Sequence, residues 1–279
     1  MPELGDYELQ SADRRPPLPS ERTGSRGRWI VAVLIVLAAA AAAYVWFRRP
    51  APPATPPTAA SAPETTAPRQ PLGGVAQPVA VPPLGETDAL VRELVRTLSS
   101  HPKIAAWLAT DGLIRNFVVV VENVANGATP ARHLSALRPS EAFAVADRDD
   151  ALFVDPRGYE RYDTFAEAAA SIDAAGAANV YATLKPRIEE AYRELGRQDT
   201  FDEALERAIV VVLQTPRVDG DVPLVPGPVG YRYADPGLER LTPAQKQVLR
   251  MGPRNTAMLQ ESLREIAIAL GIRSERLPR

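Results

Sequence analysis

Apolar and polar positions follow three different patterns along the chain. Residues 29–47, WIVAVLIVLAAAAAAYVWF, are apolar without interruption, and no charge, Pro or Gly occurs in nineteen positions. They lack the polar stripe that a core helix of a soluble protein carries. A helix of that length spans about 28 Å, close to the hydrocarbon thickness of a bilayer. Trp29 lies at one end and Tyr44, Trp46 and Phe47 at the other, where amphipathic rings favour the headgroup layer. A cleaved secretion signal ends its shorter apolar core at small residues. Here the alanines run on into Tyr-Val-Trp-Phe-Arg-Arg. The pattern predicts a retained single-pass transmembrane helix over 29–47, held in inner-membrane lipid.

The second pattern is the absence of any period. Between residues 50 and 83, eleven of thirty-four residues are Pro and most of the rest are Ala, Thr or Val. Pro lacks an amide donor and restrains the residue before it, so neither helix nor sheet is expected. Residues 48–83 read as a Pro/Ala-rich disordered linker. In polyproline-II form, at about 3.1 Å per residue, it reaches up to roughly 100 Å. Residues 1–28 are polar and read as a disordered tail. Arg14, Arg15, Arg22, Arg26 and Arg28 precede the apolar stretch, and only Arg48 and Arg49 follow closely. The excess of Arg keeps the N-terminus in the cytoplasm. The C-terminal domain then lies across the inner membrane, in the periplasm of a Gram-negative cell.

From Leu84 onward the pattern is periodic, and residues 84–279 read as a mainly helical (α+β) globular domain. Leu90, Val91, Leu94, Val95 and Leu98 mark an amphipathic helix over 88–98, and a short helix follows Pro102. FVVVVENV is β-rich, yet Leu113, Phe117, Val120, Val121 and Val124 form a helical stripe, so a helix is predicted over 113–124. AFAVADRDDALFVD, around 142–154, reads as a hairpin about a polar turn. Thr164 with Glu167, and Thr200 with Glu203, have the spacing of a capping box. Phe165, Ala168 and Ile172 form the first stripe. It resumes after Gly176 with Val180, Leu184, Ile188, Tyr192 and Leu195, with a kink or restart expected at Pro186. Phe201, Leu205, Ile209 and Val212 face inward on the next helix. VPLV and VGYRY, within 216–233, read as short strands, giving one or two small β-hairpins in all. TPAQ at 242–245 starts another helix with Pro in its first turn. It should stop near Met251-Gly252-Pro253. A last helix then runs to Leu270 with Leu259, Leu263, Ile266 and Leu270 inward and Gly271 at its end.

Composition narrows the chemistry. The 84–279 segment carries 24 basic and 28 acidic residues. A net charge near −4 gives no electrostatic basis for a nucleic-acid partner. Cys is absent and the only His residues are His101 and His133. There is no thiol nucleophile, no disulfide framework and no zinc-ligand spacing, so neither a metal nor a cofactor is expected. Ser100-His101-Pro102-Lys103 formally matches S-x-x-K, but a Pro interrupts it and no K-T-G follows.

Two polar, aromatic-rich turns remain. One holds Asp155, Tyr159, Glu160, Arg161, Tyr162 and Asp163, and the other Arg250, Arg254 and Asn255, with Tyr231, Tyr233 and Asp235 shortly before it. Arg and Tyr anchor interfaces, and Arg grips carboxylates in a planar fork. The same residues also suit an internal network that fixes loop geometry, and Glu160 or Asp163 would be the groups to consider for acid–base chemistry.

DPRGYERYDTF, IDAAGAANVYATLKPRIEEAYRELG, FDEALERAIVVVLQTP and YRYADPGLERLTPAQKQVLRMGPRN together resemble a bacterial family catalogued as domain of unknown function 3014. The resemblance covers roughly residues 84–270 and implies a membrane-anchored cell-envelope protein, without implying an activity. The sequence-based expectation is a non-enzymatic binding or scaffold module with an envelope protein or peptidoglycan as partner. The alternative is a cell-wall hydrolase or transferase using acidic residues, for which a deep cleft lined by two carboxylates would speak.

Overall fold

The computed structural model describes residues 70–279. The expected tail, the transmembrane segment over 29–47 and the linker as far as residue 69 lie outside the described residues. Among those described, no single helix is long and apolar enough to cross a membrane.

The described chain is mostly helical. Helix α1 (Asp88–Arg96) is followed by α2 (Pro102–Leu108) and α3 (Leu113–Ala125). One face of α1 serves both of its neighbours. Asp88 accepts from the amides of Gly112 and Leu113 at 2.7 and 2.9 Å, which satisfies free donors at the start of α3. Arg92 donates to the carbonyls of Leu108 and Thr110 where α2 ends. The valine run in α3 is helical because tertiary burial overrides its β preference, with Val118 and Val121 buried against the neighbouring helices.

Strands β1 (Val145–Arg148) and β2 (Ala151–Val154) form the expected hairpin. Asp149 and Asp150 both take positive φ, 51° and 60°, which matches a two-residue turn to the twist of the strands. A 3₁₀ segment, Pro156–Tyr162, leads into α4 (Asp163–Ala170), then α5 (Ala174–Glu194) and α6 (Phe201–Leu213). Strands β3 (Pro223–Pro226) and β4 (Tyr231–Tyr233) precede α7 (Pro236–Glu239), α8 (Pro243–Leu249) and α9 (Gly252–Ala269). The expected separate hairpins are in fact one four-stranded antiparallel sheet in the order β1-β2-β3-β4. Leu152 pairs with Leu224, and Leu224 with Tyr233. That row belongs to a small core with Val154, Val222 and Leu249. The main core lies among α1, α3, α5, α6 and α9.

The capping boxes at Thr200 and Thr242 both form. The one at Thr164 does not, because α4 already begins at Asp163 and Thr164 lies inside it. The break before α5 falls at 171–173, where Asp173 caps Gly176, and not at Gly176 itself. Pro186 neither ends nor restarts α5, which runs unbroken through it. Val180 and Leu184 before it, and Ile188 and Tyr192 after it, are all buried. That packing offsets the roughly 3 kcal/mol an interior Pro costs. Leu195 is exposed at the end of α5, not part of its inward stripe.

A further correction concerns the domain boundary. Residues 70–83, read as linker, lie folded along α5. Gly73 and Gly74 donate to the carbonyls of Leu270 and Ala178, and the Val75 and Gln77 amides are taken up by Asn179 and Thr183. Arg187 reaches the carbonyls of Pro82 and Val81. An extended Pro-rich strap has backbone groups that no helix satisfies, and side chains from α5 satisfy them here. The tightest clasp is at Leu72, whose amide donates to Asp202 at 3.0 Å while its carbonyl accepts from Lys185 at 2.9 Å. Lys185 and Asp202 are themselves paired at 2.6 Å. Asp202→Ala removes charged hydrogen bonds of about 1.5–3 kcal/mol. Thermolysin is therefore expected to cut between residues 72 and 81 at least about tenfold faster than in the parent chain. Equal cutting rates would show that the clasp does not hold the strap.

Candidate functional site

The two polar turns come together where the 3₁₀ segment, α4 and α9 meet. Asn255 on α9 is buried. Its amide donates to Asp163 at 2.7 Å and to the carbonyls of Tyr159 and Met251 at 3.1 Å. Arg254 reaches the other oxygen of Asp163 at 3.2 Å. The ring of Tyr159 lies on Gly252, the first residue of α9. This group ties the start of α9 to the start of α4. Nearby, Tyr233 at the end of β4 is buried, and burial pushes its hydroxyl up to about 12, partly offset by the charge of Arg250. Burial also raises Tyr159.

Other predicted site residues lie elsewhere. Asp155 caps the 3₁₀ segment and pairs with Arg157 at 2.7 Å. The hydrogen bonds from Arg157 hold its carboxyl below the usual range, so it is a fixed anion and not a proton donor. Asp235 caps α7. Tyr231 is exposed at the edge of the sheet, 6.5 Å from the Phe143 ring. Neither joins the Asn255 group.

Arg161 and Tyr162 open onto a different feature. Between α3, α6, α8 and α9 lies a cavity of about 530 Å³, within the usual range for small-molecule sites. Val120, Val121, Phe165, Leu205, Ile209 and Val248 are among its walls, and nearly all of the lining is carbon. Leu134 and Leu137, from the segment between α3 and β1, close one side. The polar lining comes from Arg138, Glu141, Arg161 and Gln247 with the Tyr162 hydroxyl, and Arg161, Glu141, Tyr162 and Gln247 are linked to one another by contact. Gln247 donates to the Tyr162 hydroxyl at 3.1 Å. Arg161 stacks over Tyr162 at 4.8 Å and lies 5.5 Å from the Phe143 ring. Glu141 is the sole carboxylate in the lining, whereas two carboxylates would mark a glycosidase-type cleft.

A smaller polar depression adjoins the cavity and shares Glu141 and Arg161 with it, with Asp155, Arg157, Gly158 and Glu160 as further lining. Sequence reasoning picked out Arg161 and Tyr162 but not the cavity. Phe117, Leu205, Ile209 and Val212 were all read simply as core faces. The one available signal was the series of apolar residues Pro130, Leu134, Leu137 and Pro139 in a stretch with no helical or strand period.

Comparison with curated proteins and with solved structures gives no match. A family model described as a protein of unknown function, DUF3014, matches residues 113–267. The match begins at the first residue of α3 and ends in the last turn of α9, and so takes in the cavity walls together with the Asn255 group. The chain belongs to the DUF3014 family.

Proposed function

We propose that the protein is a single-pass, membrane-anchored component of the bacterial cell envelope whose C-terminal domain works outside the inner membrane as a binding module. The apolar stretch over 29–47 serves as the anchor, and the prolines after it hold the domain away from the lipid surface. The observation that carries the binding reading is the carbon-walled cavity of about 530 Å³ with only a few polar groups in its lining. Such a chamber offers dry apolar area to a ligand and a few polar groups to orient it. A partner in the envelope, presented as a small apolar ligand or the apolar part of a larger one, fits that construction.

Reporter fusions after Arg279 test the topology. Alkaline phosphatase, which needs an oxidising compartment, is expected to be active there, and green fluorescent protein exported in unfolded form is expected to be dark. The reverse pair would place the domain in the cytoplasm and refute the envelope assignment.

A further inference from the structure

We infer that the cavity takes a single-chain amphiphile with a carboxylate head, its hydrocarbon tail in the apolar chamber and its head at Arg161. The inference rests on the binding-module reading and names the ligand class for that site.

Arg161 carries the argument. A guanidinium has five N–H donors. Among the described residues, Arg161 uses Nη1 on the Glu141 carbonyl at 3.3 Å. Its Nε is buried without an acceptor, and among the described residues the side chain has no ion-pair partner. The contrast with Arg115 shows what is missing. Arg115 presents the Nε/Nη2 edge to Glu194 and holds both carboxylate oxygens, at 2.7 and 2.8 Å. In Arg161 that same edge has no carboxylate opposite it, although Phe143 and Tyr162 flank the guanidinium. A buried donor without a partner costs about 1–3 kcal/mol; a ligand carboxylate meets the guanidinium first at its terminal nitrogens, and a turn of the side chain then brings Nε the acceptor that the fold omits.

The surroundings define the rest of the ligand. The tail follows from the chamber, where burying each methylene contributes about 0.8 kcal/mol. The head follows from the adjoining depression, which opens beside Arg161. Arg157 there is already paired with Asp155, and Glu141 and Glu160 line the same surface. Two carboxylates beside one free guanidinium favour a singly charged head over a doubly charged phosphate.

The segment between α3 and β1 lines the cavity through Leu134 and Leu137. It is tied at its ends by Ala244 donating to the Gly127 carbonyl and by Arg161 donating to Glu141. Between those ties its backbone bonds are local, from His133 to Pro130, Leu137 to Leu134 and Arg138 to Ser135. Lifting Leu134 and Leu137 breaks apolar contacts and no distant backbone hydrogen bond.

The test uses the full chain in its own membranes, with two photoactivatable diazirine probes of the same twelve-carbon tail. One ends in a carboxylate and the other in an alcohol. The acid is expected to label peptides from α3 and α6, mapped by mass spectrometry, at least about tenfold more than the alcohol. Dodecanoate should compete better than dodecyl phosphate. Arg161→Met should bring the acid-to-alcohol ratio close to one, while Arg161→Lys, which keeps the charge but not the fork, should retain part of it. The comparison of acid with alcohol on the parent chain needs no variant and so does not depend on the fold of either. Equal labelling of the walls by both probes would overturn the carboxylate head and leave the binding site standing. Labelling of the walls by neither would remove the binding site as well. Competition by an apolar peptide with an amidated C-terminus, as strong as that by dodecanoate, would reassign the cavity to a protein partner.

Discussion

Gly252→Ala is expected to lower the melting temperature of the purified chain by about 4–20 °C, more than any other single added methyl in the domain. Gly252 sits between the end of α8 and the first turn of α9 with φ +80°. A side chain in that conformation costs about 1–2 kcal/mol. A Cβ there would also overlap Cβ, Cγ and Cδ2 of Tyr159, and forcing a methylene into a packed site adds roughly 1–3 kcal/mol. Tyr159 has little room to retreat, because its own carbonyl is held by Asn255. At roughly 2–4 °C per kcal/mol for a domain of this size, the two terms together give the stated shift. Gly271 is the control. It has φ +90°, yet a Cβ there meets nothing within 4 Å, so Gly271→Ala should show the backbone cost alone. Calorimetric scans of both variants separate the terms. Equal shifts would mean that contact with Tyr159 contributes nothing. In a Tyr159→Ala background the cost of Gly252→Ala should fall to that of Gly271→Ala.

The same junction explains which sequence signals could be read. A capping box is decided within four residues, so Thr200 and Thr242 behave as their spacing says. Thr164 has the same spacing and fails because Asn255 and Arg254, some ninety residues away, hold Asp163 where the helix begins. The strap was misread for a related reason. Its composition forbids helix and sheet of its own, and it forms neither. Whether it folds depends on Asn179, Thr183, Lys185 and Asp202, which are more than a hundred residues distant. The hairpin at 145–154 was legible from alternation and its Asp-Asp turn, whereas the pairing of Leu152 with Leu224 spans α4, α5 and α6. Pro186 shows packing overruling a local rule.

The cavity was the least legible feature. Its apolar walls on the helices all satisfy the periodicity of core residues, and periodicity gives the direction a side chain faces without saying whether the space opposite is filled. A volume between α3, α6, α8 and α9 belongs to no single stretch of sequence. The polar lining was easier to find, because Arg161 and Tyr162 stand out by residue type alone. Of the twelve residues singled out, Tyr159, Asp163, Arg254 and Asn255 form one structural knot, and Arg161 and Tyr162 mark the chamber.

Phe201→Ala should destabilise the domain by about 3–5 kcal/mol, through a ring that supports one wall of the chamber. Phe201 is fully buried at the first position of α6. Its ring lies 5.6 Å from Phe117, 6.3 Å from Tyr181 and 5.5 Å from Tyr192, all centroid to centroid. Truncating a buried Phe leaves a cavity that the surroundings fill only in part, and that accounts for most of the expected loss. The three ring contacts add about 0.5–1.5 kcal/mol each beyond the area they bury, though not additively. Phe201→Leu keeps most of the volume and the backbone amide that donates to Glu189 at 3.1 Å, so its cost should be about 1–2 kcal/mol. Urea unfolding of both variants gives the ratio, and equal losses for Ala and Leu would show that lost volume does not govern the site. Phe117 extends the consequence to the chamber, because it packs on Phe201 and also lines the cavity. In Phe201→Ala the Phe117 ring gains room to drop into the vacated space and widen the chamber, while Arg161 stays stacked on Tyr162. Labelling of the α3 peptide by the twelve-carbon probes should therefore fall for acid and alcohol alike, with their ratio unchanged. A change in that ratio would mean that the tail wall and the head site are coupled.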